Sequence, residues 1–535
     1  MADKLARDVD FPPSAAGATR RDVLKILMFS TIGAVGAQGL AACSLGSPEQ
    51  ASSGNDVPPA RPIGILNIAG NGEPLSLDPT VAADRQDLGI IANSVYEGLT
   101  RFSGDTSDIE GSLAAKFESS PDAREWTFTL NPGVKFHDGE PLTSTAVRKS
   151  YEYYGRTEAT WANLVPKNAK YDDSDPNVIR ITSQSPMPDL GRNSTFIRII
   201  SPKLLDAGPD AVKKTPTGTG PYKFISYTVA QNVVLSANTE YRGPGPYLEQ
   251  IRFQIIPDAS ARAAALKSGS VDLVLGMTPS DSASLKSDPS LVVSQKLAWT
   301  QDQLIFFLSG TGPASNIKVR QAISFAIDRN AIVKSILGGV AQAADSIMPP
   351  GLYGYKAPST QYPVDLDRAK QLINESGLPT PINMEIVWAP GLGANLDRVE
   401  EAISGMVQKI GINLTVTQEP IGQVSKELAD PAHIKYHAIC GDLGWVNGGP
   451  FVFETQRIQA ISGFKAADDL VEQMSNMADG PERSAVIAQI QEKYAQELPA
   501  IPLYTVMAID AHKSSVHGYK TPQDGFAPNY GVLFL

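Results

Sequence analysis

Trp126-Thr127-Phe128-Thr129-Leu130-Asn131-Pro132-Gly133-Val134-Lys135-Phe136-His137-Asp138-Gly139 is the stretch from which the fold can be read outward. From Glu125 to Leu130 polar and apolar residues alternate, the pattern of a half-buried strand, and Asn131-Pro132-Gly133 turns the chain into a second short run, Val134 to Phe136. Asp138-Gly139 supplies the next turn, because Gly139 accepts the positive φ that a tight turn demands. Thr143 or Ser144 then caps a helix whose apolar positions, Val147, Tyr151 and Tyr154, are spaced by four and three. The order is strand, turn, strand, turn, helix. The same alternation continues downstream: strand-like Ile63–Ile68 and Lys223–Tyr227, helical periodicity over Val319–Val333, Leu366–Ile373 and Leu396–Ile410, and strand-like Asn413–Thr417. Such alternation indicates an α/β chain.

Length and charge narrow the function classes. The 535 residues suffice for two to four domains and carry 46 basic against 57 acidic side chains, a net charge of −11. Phosphate binding usually needs a basic face, so a general nucleic-acid binder is not expected. Hydrophobic residues at 42% and charged residues at 19% exclude wholesale disorder.

The N-terminus reads as an address. Arg20-Arg21 precede a moderately apolar run, Ile26 to about Ala42, which Gly33, Gly36 and Gly39 interrupt and which makes a poor permanent membrane span. The arginine pair resembles a twin-arginine export signal. Leu40-Ala41-Ala42-Cys43 resembles the lipobox of bacterial lipoproteins, which would acylate Cys43. Residues 1–43 are then a twin-arginine lipoprotein signal, and 44–61, rich in Ser, Gly, Pro and Ala, form a flexible tether. With Cys43 so used, Cys440 is the one remaining cysteine and no intrachain disulfide is expected.

Enzyme signatures are missing from the sequence. Gly-x-Ser-x-Gly, His-Glu-x-x-His, the phosphate-cradling Gly-x-x-x-x-Gly-Lys-Ser/Thr and Cys-x-x-Cys do not occur. His433, His437 and Cys440 are a conceivable soft-metal set, but on a strand positions four apart lie about 13 Å from one another, too far for one ion. No metal site and no cofactor are expected. His137-Asp138 offers an acid/base pair only in a turn with no evident partner.

These pieces resemble the extracytoplasmic solute-binding proteins of ABC importers that include dipeptide-, oligopeptide- and nickel-binding members, solute-binding family 5. The resemblance rests on Trp126–Gly139, on the loop Gly218-Thr219-Gly220-Pro221-Tyr222, and on Asn238–Tyr241, Ile255–Asp258 and Leu266–Asp272. Lys318–Ile323 with Ala326-Ile327-Asp328-Arg329 completes it. It implies an α/β, two-lobe, periplasmic-binding-protein-like fold with a hinge and an extra subdomain in the first lobe. The expected boundaries are 62–304 for the first lobe with an inserted subdomain at about 103–197, 305–505 for the second, and 506–535 returning to the first, with the hinge near Leu304–Leu308 and Ile501–Thr505.

The implied function is capture of a peptide or peptide-like solute by a lipid-anchored, non-enzymatic, monomeric component that delivers it to a membrane permease served by an ATPase. An envelope enzyme or folding helper is the reading from another class. For ligand contact the resemblance points to Trp445 with Asn447, to Trp388, Asn395 and Arg398, and to Asp84 and Arg85. Trp445 is equally an ordinary core tryptophan, and Arg398 an exposed helix charge. Peptide-binding relatives follow the tryptophan with an aspartate for the ligand's α-amino group. Here the run is Val446-Asn447-Gly448-Gly449-Pro450, without an acid, which keeps open a non-peptide ligand such as an opine, an oligosaccharide or a metal chelate.

Overall fold

The structure, a computed structural model, describes residues 57–535 apart from 75, 82–88, 104–106, 157–158, 160–161, 309–311, 390–395, 429–434, 445–450 and 524–529. Cys43 and the export signal lie outside the described residues.

Two unusually long strands organise everything else. Leu291–Phe306 and Ala500–Lys513 pair antiparallel from Leu291↔Lys513 to Ile305↔Ala500. Their register shifts between Leu297 and Gln301 and again between Asp302 and Gln303. Such irregularities twist and bend a ladder locally. At one end Ala500–Lys513 pairs with Leu273–Val274, which leads to Ile65–Gly70, Gln250–Ile255, Asn232–Ala237 and Tyr222–Thr228. At the other end Leu291–Phe306 pairs with Ala438–Gly444, followed by Ile382–Trp388 and Ile412–Gln418.

Each end buries its own core. One gathers Leu66, Phe128, Tyr151, Ile251 and Phe253; the other gathers Phe306, Ile323, Ile386, Ile403 and Tyr494. A smaller cluster around Leu266, Val274 and Ile509 lies beside the first. The fold is therefore α/β with two lobes and two strands shared between them.

A separate four-stranded antiparallel sheet, ordered Ala114–Ser119, Glu125–Leu130, Val178–Thr182, Lys170–Asp175, belongs to the first core. Glu125–Leu130 buries alternate residues as its sequence pattern requires. Trp126 donates Nε1–H to the Met187 carbonyl at 2.9 Å. The helix Ser144–Tyr154 buries Val147, Tyr151 and Tyr154. Val134–Phe136, in contrast, forms no strand; only Lys135 bridges to Pro141.

The Gly218–Tyr222 loop and the His137 turn explain one another. A Cβ on Gly218 would sit 2.3 Å from the Val95 carbonyl oxygen and one on Gly220 2.4 Å from that of Ser94, so only glycine permits this backbone approach. His137 N–H donates to the Gly218 carbonyl and His137 Nε2 meets the Gly220 carbonyl, both at 2.9 Å. Burial pushes the His137 pKa down to about 4, against the Gly220 hydrogen bond, which raises it. Asp138 accepts from Ser201 Oγ at 2.6 Å. The pair does structural rather than acid/base work.

The helical pattern over Val319–Val333 is two helices, Ile317–Ala326 and Arg329–Ser335. Asp328 breaks the run by capping the second, its carboxylate accepting from Ala331 N–H at 2.8 Å. Among the described residues no helix is long and apolar enough to cross a membrane.

Candidate functional site

Strand polarity locates a cleft. Ile382–Trp388, Ile412–Gln418 and Ala438–Gly444 are mutually parallel, and Gly444, at the last strand's carboxyl end, lies opposite Thr300 in the crossing region. In the first lobe Ile65–Gly70, Gln250–Ile255 and Leu273–Val274 are parallel. Val274 pairs with Ala511 one step nearer the crossing than Leu273 with His512. Both lobes thus aim the carboxyl ends of their parallel strands at the shared strands, and ligands of open α/β sheets bind outside such ends.

The crossing itself carries buried polar groups. Gln301, Asp302 and Gln303 are at most 1% exposed. Gln303 Nε2 donates to Gln301 Oε1 at 2.8 Å and to the Ile347 carbonyl at 2.9 Å, and Gln301 Nε2 reaches Thr505 Oγ1 at 3.4 Å. This ladder of amides fixes one face of the crossing. Trp299, in the first irregularity, donates no hydrogen bond from its buried indole Nε1–H to any described residue. Its backbone N–H donates to the Gln523 carbonyl at 2.7 Å, and its ring meets Phe102 of the first lobe edge-on, 5.5 Å between centroids.

Behind the crossing stands an acid in an apolar stripe. The helix Leu396–Gln408 buries Leu396, Val399, Glu400, Ile403 and Val407, so its core-facing spacing includes Glu400, which is 0% exposed. Burial pushes the Glu400 pKa up to about 9; the nearby Cys440 thiol opposes the rise, and the charges of Asp397 and Asp302 add to it. Glu400 is accordingly a neutral acid at pH 7. Burial, with Glu400 and Asp302 nearby, likewise pushes the Cys440 thiol well up, which leaves it unreactive.

Of the residues named from the sequence, Trp388 ends the strand Ile382–Trp388 and is half-buried against the second core. Arg398 is exposed, in the first turn of Leu396–Gln408. The two flank residues 390–395. Trp445, Asn447, Asn395, Asp84 and Arg85 lie outside the described residues. His437 Nδ1 accepts from Glu385 N–H at 3.0 Å, and His433 is outside the described residues. Among the described residues no group of three or more His, Cys, Asp or Glu is placed to hold a metal ion. Sequence reading missed Trp299, Asp302 and Glu400. Two signals were present: the polar Gln301-Asp302-Gln303 before the apolar Leu304-Ile305-Phe306, and a glutamate at a core position of a helical stripe.

Comparison with known proteins agrees with this architecture. Residues 108–440 match the profile of "Bacterial extracellular solute-binding proteins, family 5 Middle". The chain is 27% identical over 505 residues to heme-binding protein A of Haemophilus influenzae, covering 86% of this chain and 90% of that one. It is 24% identical over 503 residues to the dipeptide-binding protein of Escherichia coli, covering 85% and 91%. The solved structure of HbpA2 from Haemophilus parasuis superposes with a TM-score of 0.79 at 25% identity, over 88% of this chain and 100% of that one. The chain belongs to the bacterial extracellular solute-binding proteins of family 5, which serve ABC importers as binding components and are not enzymes.

Proposed function

We propose that this protein is the lipid-anchored member of its importer, held beside the membrane through acylated Cys43 and the 44–61 tether, and that it encloses a peptide or peptide-like solute between its lobes. It acts as a monomer and hands the solute to a permease driven by a separate ATPase. Residues 62–304 with 506–535 make the first lobe, with the insertion at about 103–197, and 305–505 the second. The observation that carries this reading is the convergence of both lobes' parallel strands on the shared strands Leu291–Phe306 and Ala500–Lys513. A solute touching both lobes there favours the closed form, which is the state a permease would recognise.

In this reading Trp445 and Trp388 would supply flat apolar walls, Asn447 and Asn395 neutral hydrogen bonds and Arg398 a partner for a carboxylate, with Asp84 and Arg85 as further candidate contacts. The second reading, a non-peptide solute, is favoured by one specific departure: Val446-Asn447-Gly448-Gly449-Pro450 offers no acid to an α-amino group.

One comparison separates the two. Gly448→Asp or Asn447→Asp supplies the missing charge, and calorimetric titration with peptides bearing free or acetylated amino termini reads its effect. For a peptide pocket the expected gain is about tenfold or more, confined to free amino termini. Unchanged affinity for every peptide contradicts the peptide assignment.

A further inference from the structure

The lobes also meet through four charged side chains. Asp189 precedes, and Arg192 lies within, the short helix Leu190–Asn193, whose Leu190 is in the first core. Asp479 and Arg483 bracket the start of Pro481–Glu497, whose Val486 and Ile487 are in the second. Arg483, 1% exposed, donates Nη1–H to Asp189 Oδ1 at 2.8 Å and Nη2–H to Asp189 Oδ2 at 2.9 Å, the two-pronged arrangement that a guanidinium makes with a carboxylate. The same Arg483 donates to Asp479 Oδ1 at 2.5 Å and to the Met474 carbonyl at 3.2 Å. Arg192 of the first lobe ends the row, donating Nη2–H to Asp479 Oδ2 at 3.1 Å.

The charges alternate, Asp189, Arg483, Asp479, Arg192, and their formal sum is zero. Neutral contacts surround them. The Arg192 guanidinium lies 4.2 Å from the centroid of the Tyr353 ring, and its Nη1–H donates to the Ser107 carbonyl. Tyr353 N–H donates to Ser107 Oγ at 2.5 Å, and the Tyr353 hydroxyl donates to the Gly480 carbonyl at 3.0 Å.

We infer that this row of charges is a clasp between the lobes: a fixed set of charge pairs, none of them among the candidate solute contacts, that selects one closed geometry and contributes to closure independently of the solute. A neutral pair of matched shape can replace a buried ion pair with little loss, whereas removing one member leaves a dehydrated charge uncompensated. Closure by the clasp therefore depends on both partners at once. Because the apparent affinity of a ligand scales with the fraction of protein in the competent form, the clasp adds to solute affinity through that fraction. Only that last consequence rests on the solute-binding reading.

Small-angle scattering of the purified protein in plain buffer tests the clasp without any solute. Arg483→Met and, from the other lobe, Asp189→Asn should each shift the closed-to-open ratio by about a hundredfold or more and increase the radius of gyration. The double variant Asp189→Leu with Arg483→Met should return towards the wild-type value. Should Arg483→Met not fold, Asp189→Asn, which keeps the side-chain shape, decides. Scattering curves of folded Asp189→Asn that superpose on the wild type overturn the clasp. Loss of solute binding with unchanged scattering is a failure of the cleft reading instead.

Discussion

Replacing Glu400 by glutamine should stabilise this protein at neutral pH and do nothing at acid pH. Glu400 is fully buried on the apolar face of Leu396–Gln408, and its pKa stands at about 9 rather than the ordinary 4.5. The cause is burial first, opposed by the nearby Cys440 thiol and reinforced by the neighbouring charges of Asp397 and Asp302. In the unfolded chain this carboxyl ionises at its ordinary value. For an acid whose folded pKa is raised, its contribution to stability is complete below 4.5 and is lost as pH rises towards 9.

Each pH unit above 4.5 costs about 1.4 kcal/mol, which gives about 3 kcal/mol at pH 7 and about 5 kcal/mol at pH 8. Glutamine keeps the shape and has no titrating proton, so Glu400→Gln escapes this cost. Urea unfolding of wild type and variant at pH 4.5, 7 and 8 reads it: coincident midpoints at pH 4.5, and a gap in favour of the variant that widens with pH. A gap independent of pH, or a variant less stable than wild type at pH 8, refutes the assignment of Glu400 as a neutral buried acid.

Two further substitutions probe the frame that positions the cleft. Gly220→Ala places a methyl against the Ser94 carbonyl oxygen, 2.4 Å away, and since both sides are backbone the strain has no flexible side chain to absorb it. A loss of about 3 kcal/mol or more in urea unfolding is expected, and a shift below 1 kcal/mol would show that the loop can move aside. His137, held neutral with its pKa pushed down to about 4, works in the opposite sense to Glu400. Its contribution is complete above its ordinary 6.5 and is lost as pH falls towards 4. His137→Gln should therefore flatten the stability profile between pH 6.5 and 4, where the wild type loses about 3 kcal/mol through this group, and an unchanged profile would count against it.

Local pattern carried much of the fold. Glu125–Leu130, Ser144–Tyr154, Leu366–Glu375, Leu396–Gln408 and Ile412–Gln418 stand close to where alternation and helical spacing put them, because each buries one face and leaves the other wet. The two long strands were not legible as strands. Leu291–Phe306 passes from one lobe to the other, so Ser294-Gln295-Lys296 and Gln301-Asp302-Gln303 break any single period. Val319–Val333 looked continuous because a capping aspartate, Asp328, is also a plausible exposed helix residue. In the site, Trp388 and Arg398 sit on the described elements that flank residues 390–395. Glu400 escaped notice because a helical stripe is counted by its apolar members. The clasp was illegible for a different reason: Asp189 and Arg483 are 294 residues apart, and only the tertiary fold brings them together.

Native mass spectrometry bears most directly on solute capture between the lobes. The purified protein, incubated with peptides and separately with opines, oligosaccharides and metal chelates, is weighed under gentle ionisation and again after denaturation. Capture requires one solute per chain, an added mass that vanishes on denaturation, spread in steps of amino-acid residues for a broad peptide carrier or sharp for a dedicated ligand. A chain whose gentle and denatured masses agree after every incubation contradicts solute capture.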